Sequence, residues 1–391
     1  MGSNSYFSNS YQDARQLFLI SAEKAGATIN SHVHPTEKDV DGRDLAIDVA
    51  LLGPKDADVI LMCVSGTHGP EGYCGSAAQI QSLSDGTLSK LPKGVAVVFI
   101  HALNPFGFAY MTRFNENNVD LNRNWVDFSN IPKTHKIYPD LNAVLPPTDS
   151  FTENQFSETV GKMARLSNLH SGFEIENALS AGQYEFADGL GYGGCKREWS
   201  SKILEQIVRS FQSPIRHIAY LDWHSLIRSG MDDFVYLSFN RPGGQLIDRC
   251  KNWWGAHNVD PKKVAAKWDQ GLGREGGRPD RYGIVMWGVQ DCARPAMDVA
   301  GGVVEFTDEP VNTFQEKVLG LRASLLSRYF VHTRDITSER GKKLYAESRE
   351  LWCPTRTAWQ TKTLARAQDI FTKTLNGATD WAAENVAVCD E

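Results

Sequence analysis

Two near-continuous apolar runs constrain this chain most: "ADVILMCVSG" at 57–66 and "GVAVVFIHALNP" at 94–105. A strand with one face in water alternates apolar and polar residues, whereas runs like these need cover on both faces. Between them lie a glycine-rich turn and the helix-like stretch "SAAQIQSLS". Strand, turn, helix and strand make a βαβ unit. The unit predicts an α/β fold: a mixed, mostly parallel twisted sheet with helices on both faces. "DLAIDVALLG" (44–53), "IRHIAYLDWHS" (215–225), "DFVYLSF" (233–239) and "AGGVVEFT" (300–307) read as further strands. "YQDARQLFLISAEKAGA" (11–27) has helical spacing, with Ala14, Leu17, Phe18 and Ser21 on one side.

From about residue 310 onward, "FQEKVLGLRASLLSRYF", "KKLYAESRELW" and "LARAQDIFTKTL" are successive helical patterns, expected to form a C-terminal helical layer on the sheet. The stretch 126–182, with Pro146-Pro147, is polar and irregular and reads as an insertion. No repeat or composition break divides the chain. The expectation is one domain over 1–391, with a catalytic core at about 44–330 and a helical extension at about 331–391.

A formal net charge of −6 and the lack of any long Lys or Arg run argue against nucleic acid as a partner, since binding it needs a basic face. No segment approaches the roughly 20 apolar residues of a membrane span. The opening "MGSNSYFSNSYQDARQ" lacks the basic-then-apolar pattern of a secretory signal. Seven cysteines, odd in number and scattered without a Cys-x-x-Cys pair, argue against a disulfide framework or a cysteine-bound zinc. A reducing, cytoplasmic location is the expectation. Oligomeric state is left open.

Ligands of open α/β sheets bind outside the carboxyl ends of the strands. Several expected strands of this chain end there in polar residues. The first apolar run leads to His68 and Glu71 in "THGPEG", the second to "NPFGFAYMTRFNENNVDLNRNW", the third gives Asp222 and His224, and a later one ends in Glu305. Two imidazoles and a carboxylate suit one zinc ion per chain in a tetrahedron whose fourth position is open. His68 and Glu71 reach one ion across a turn, and His224 arrives from a neighbouring strand. Glu305 is then the candidate base, since a lone glutamate ending an apolar strand is costly without a role or a partner. Singly, each feature has an ordinary reading: a loop polar pair, a core histidine, a structural ion pair, surface arginines. Their joint order at strand ends points to a site.

The ordered set "HGPEG", "NPFGFAYMTRFNENNVDLNRNW", "LDWHS" and "VVEFTDEP" resembles the zinc carboxypeptidase (M14-like) superfamily, which includes the aspartoacylase and succinylglutamate desuccinylase branch. The glycine-rich "THGPEGYCGSA" looks like a little-characterised bacterial branch of it, of the DUF2817 type. The resemblance implies zinc held by His68, Glu71 and His224, with Glu305 as general base and acid. It implies that Arg113 polarises the scissile carbonyl, that Asn122 and Arg123 hold a substrate carboxylate, and that Asp120 orients His68 through its second ring nitrogen. Tyr282 stands in the region of the family's closing tyrosine. The segment 180–200 is outside the familiar pattern, with Tyr184 and Tyr192 as candidate pocket aromatics.

The implied activity is zinc-dependent hydrolysis of an amide bond beside a free carboxylate, in a short peptide or an N-acyl-amino acid. A non-catalytic, ligand-binding relative of the same fold is the alternative. A cysteine hydrolase using Cys63 or Cys74 is less favoured, because Cys63 lies inside an apolar strand where a thiol is usually inert.

Overall fold

The computed structural model describes residues 6–211, 214–228, 234–237, 246–259, 281–293, 295 and 297–389. Seven strands form one sheet: β1 (Thr28–Lys38), β2 (Asp44–Leu52), β3 (Val59–Ser65), β4 (Val95–His101), β5 (His217–Leu226), β6 (Phe234–Leu237) and β7 (Asp298–Thr307). Their order is β1-β2-β4-β3-β5-β7-β6. The central strands β4, β3, β5 and β7 pair in parallel, as the two apolar runs require. Antiparallel strands flank them, β2 and β1 on one side and β6 on the other.

Alternate residues of the central strands sort into two separate cores. Leu61, Cys63, Val97, Phe99, Ala219 and Leu221 pack on one face. Ile60, Met62, Val64, Val98, Ile100 and Ile218 pack on the other, against helices Trp199–Ser210 and Val285–Cys292. The first face is covered by helix α1 (Tyr11–Lys24), helix α2 (Gly72–Ser84) and the last part of the chain. Ser10 caps α1 by accepting the Asp13 N–H, and Tyr11, Ala14, Phe18 and Ser21 are its buried side.

The C-terminal layer consists of helices Thr313–Thr333, Glu339–Trp352 and Thr357–Cys389. The last of these lies on the sheet: Phe371 stacks on Phe99 with ring centroids 5.9 Å apart, and Trp381 on His217 at 4.2 Å. No helix among the described residues is long and apolar enough to cross a membrane.

Two segments differ from the sequence reading. Strand β1 carries no apolar alternation and leaves most of its length exposed, as an edge strand can, so no pattern announced it. The stretch 126–182, read as irregular, holds helices Tyr138–Ala143, Glu153–Leu166 and Gly172–Ser180. The latter two open on capping boxes, Thr152 with Gln155 and Ser171 with Glu174, a spacing visible in the sequence.

The position of β3 matters most for function. Its neighbours on either side, β4 and β5, follow it along the chain, so the connections leave in opposite directions. Such a switch point opens a crevice at the carboxyl end of the strand. The turn carrying His68 and Glu71 starts there.

Candidate metal centre

The turn after β3 is pressed against helix α3 (Pro105–Tyr110). A Cβ on Gly69 would lie 1.9 Å from the carbonyl carbon of Gly107, so only glycine allows this approach. Asn104 fixes the other side, its side-chain oxygen accepting the Gly107 N–H at 2.8 Å. Glu71 then sits at the start of α2, with His68 one turn before it. On β5, His224 stands in register with Glu305 of β7, so the two side chains share one face of the sheet.

These elements bring His68, Glu71 and His224 together, all three buried, with one ligand atom from each within 4.8 Å of the others. His68 Nδ1 lies 2.9 Å from Glu71 Oε1, His224 Nδ1 lies 2.8 Å from Glu71 Oε2, and the two Nδ1 atoms face each other at 3.1 Å. Donor atoms arranged tetrahedrally about 2.0–2.2 Å from a zinc ion sit roughly 3.3–3.6 Å apart. The two imidazole nitrogens need to part by only a few tenths of an ångström to reach that spacing, with the Glu71 carboxylate spanning both of them.

Carboxylates surround the three ligands. Asp120 Oδ1 is 3.2 Å from His68 Nε2 and also accepts the Asn122 N–H at 2.9 Å. Arg113 donates Nε to Asp120 Oδ2 at 3.2 Å and Nη1 to Glu71 Oε1 at 3.1 Å. Asp222 is fully buried on β5 beside His224. Glu305 Oε2 is buried with no hydrogen-bond partner among the described residues. Four carboxylates thus face two guanidiniums, those of Arg113 and Arg123. An excess of carboxylates over guanidiniums in so enclosed a cluster favours a bound cation.

Proton affinities follow from the same crowding. Burial works to raise the Glu71 carboxyl, but the His68 and His224 imidazoles overrule it and hold the group below the usual carboxylate range. Burial opposes charge on His224, yet the Asp222 and Glu71 carboxylates push its imidazole well above the ordinary value. Glu305 behaves differently: burial pushes it up to about 7, restrained by His224, His68 and Arg113 and aided by Glu71. An acid of that strength can both take and give a proton near neutral pH.

Arg123 lies beside this cluster. Its Nε donates to Ser180 O at 2.9 Å and its Nη1 to Asn122 O. The Asn122 side-chain oxygen accepts the Val285 N–H at 2.9 Å, which ties the segment to a strap at 281–285. Tyr282 is on that strap, partly buried, with its backbone N–H on Ala181 O. Gly283 presses on Arg123, and a Cβ there would meet its carbonyl oxygen at 2.3 Å.

The segment 180–200 braces Arg123 from behind. Tyr184 donates its hydroxyl to Arg123 O at 2.8 Å, Tyr192 O accepts the Asp120 N–H, and Asn124 donates to both Gly193 O and Lys196 O. Both tyrosines therefore act from outside the cluster through the backbone. Ser225 and Trp352 also escaped the sequence reading. The Ser225 N–H binds Glu71 Oε2 at 2.9 Å, its hydroxyl binds Trp352 O at 2.7 Å, and the Trp352 ring lies beneath the Arg113 guanidinium at 5.9 Å. Ser225, next to His224, was findable from the motif; Trp352, more than a hundred residues away, carried no signal.

A family model described as "Protein of unknown function (DUF2817)" matches residues 7–366. The chain belongs to that family. Among curated proteins, none matches this DUF2817 chain. Solved structures similar to it include carboxypeptidase A from Helicoverpa armigera, at 14% identity and a TM-score of 0.42, covering 87% of this chain and 73% of that one. Bovine thrombin-activatable fibrinolysis inhibitor has 13% identity and a TM-score of 0.42, with 86% and 100% covered. A succinylglutamate desuccinylase/aspartoacylase from Rhodobacter sphaeroides has 11% identity and a TM-score of 0.33, with 78% and 65% covered.

Proposed function

We propose that this DUF2817 chain is a zinc hydrolase that cleaves an amide bond beside a free carboxylate. The observation that carries the reading is the convergence of His68, Glu71 and His224 within 4.8 Å, with Glu305 in register beside His224. His68, Glu71 and His224 would hold the ion, one per chain. Bound there, zinc supplies a Lewis acid that acidifies water and polarises a carbonyl.

The remaining chemistry belongs to the side chains. Glu305 takes the proton of the attacking water and delivers it to the leaving nitrogen, a task suited to a group near pKa 7. Arg113 stabilises the charge that develops on the carbonyl oxygen. Arg123, with Asn122, supplies the planar donors that a substrate carboxylate accepts. Asp120 keeps the His68 proton on Nε2, leaving Nδ1 to the metal. Tyr282, on its strap, closes over the substrate.

The substrate class is a short peptide with a free C-terminus or an N-acyl-amino acid. We read residues 1–391 as one zinc-hydrolase domain and the protein as cytoplasmic. Metal analysis of the purified protein, followed by a panel of acyl-amino acids and short peptides, tests the function. Stoichiometric zinc with turnover of a carboxylate-bearing amide is the expected result. Zinc and ligand binding without turnover across the panel would favour the non-catalytic relative.

A further inference from the structure

His224 presents Nδ1 to Glu71 and His68, so the proton of its neutral ring belongs on Nε2. Asp222 Oδ2 lies 3.0 Å from that nitrogen, a close contact outside hydrogen-bond geometry. Asp222 lies two residues earlier on β5, which puts both side chains on one face of the sheet. Its carboxylate is 1% exposed, and among the described residues no lysine or arginine pairs with it. Two hydroxyls do. Thr67 Oγ1 donates to Oδ1 and Oδ2, both at 3.0 Å, and Tyr220 OH donates to Oδ2 at 3.0 Å.

Thr67 is the residue before His68, in the turn that carries the first two ligands. Asp222 therefore touches both ligand-bearing elements: the turn after β3 through Thr67, and β5 through His224. The Asp222 carboxylate is thus enclosed by two hydroxyls and the edge of the His224 ring, with no room left for solvent.

We propose that Asp222 is a positioning residue that fixes the His224 ring and locks the turn of His68 to β5, and so sets the affinity of the site for a divalent metal. The inference rests on the reading of His68, Glu71 and His224 as zinc ligands. Each imidazole has a carboxylate at its outer nitrogen, Asp120 hydrogen bonded to His68 at 3.2 Å and Asp222 in contact with His224 at 3.0 Å. Outer partners of metal-bound histidines typically contribute about 10–100-fold in affinity.

The test uses full-length protein freed of metal by chelator dialysis. Zinc affinity is measured by competition with a chromophoric chelator, and ligand geometry by the visible bands of the cobalt(II) form. Asp222→Asn should fold, melt near wild type without metal, bind zinc about 10–100-fold more weakly and shift its cobalt bands. Thr67→Val should weaken zinc by about threefold, the worth of one ordinary hydrogen bond. A folded Asp222→Asn protein with wild-type affinity and an unshifted cobalt spectrum would overturn the proposal. So would a lowered melting temperature with unchanged affinity in the folded fraction, the mark of a purely structural role. Should Asp222→Asn not fold, wild-type affinity in Thr67→Val overturns it instead. Wild-type protein that binds no divalent metal would sink the zinc reading itself, and the proposal with it.

Discussion

His224 of β5 and Glu305 of β7 are paired in register on adjacent parallel strands, one a candidate ligand and the other a partly buried acid. Hydrogen bonds between the strands, rather than a flexible loop, fix their separation. A base built this way is held in place before any substrate arrives, and its cost of burial is met by the rigidity of the sheet.

His224→Ala removes one of three ligands while leaving the β5–β7 ladder intact. The variant should retain the far-ultraviolet dichroism of the wild type and lose most of its zinc, as read by atomic absorption. A full equivalent of zinc in the folded variant would contradict the ligand set.

Glu305→Gln keeps the shape of the side chain but cannot accept a proton. It should bind zinc normally while turnover falls by at least about a hundredfold. Loss of its charge also removes a buried group that resists ionisation, so the metal-free variant should melt no lower than wild type at pH 8. Near-normal kcat in a stable, zinc-loaded variant would exclude Glu305 as the base.

The two arginines should separate kinetically. Arg123→Ala removes a contact made in ground and transition states alike, and should raise KM about 10–100-fold with little change in kcat. Arg113→Ala removes a donor to the developing oxyanion, and should lower kcat about 10²–10³-fold. If both variants changed only KM, the division of roles would be wrong.

His101 offers a test of acid stability away from the metal centre. Its ring is fully buried, stacked on Phe18 at 4.4 Å and hydrogen bonded to Ser76 Oγ at 2.9 Å. Burial depresses its pKa to about 4 from an ordinary 6.5. The unfolded chain therefore binds the extra proton first, so stability is complete above pH 6.5, falls as pH drops towards 4 and levels off below it. The full loss is about 3 kcal/mol. Urea unfolding across this window should show a much flatter acid slope in His101→Phe, and equal slopes would refute the assignment.

Legibility in the sequence followed physical range. The central strands were readable because burial on both faces leaves an unbroken apolar run, as at Val59–Ser65 and Val95–His101. His68, Glu71, His224 and Glu305 were readable because each lies at or near a strand end or in the turn that follows, where sequence position implies spatial position; Asp120, beyond helix α3, was reached only through the resemblance. Strand β1 was silent since an exposed edge strand need not alternate. Trp352 was silent for another reason: a helix far along the chain docks it beside Arg113, and no local pattern encodes such a contact. The strand read at 233–239 is seen at Phe234–Leu237, its remaining positions lying outside the described residues.

The link from Trp352 O through the Ser225 hydroxyl and the Ser225 N–H to Glu71 has a practical side. It makes position 330, where a core looks complete on paper, a poor place to end a shortened protein. A fragment stopping there would expose the floor under Arg113 to solvent and release the serine that steadies Glu71. Trimmed versions made for crystallisation or screening should therefore run past Trp352. An inactive fragment lacking it would say nothing about the chemistry of the whole chain.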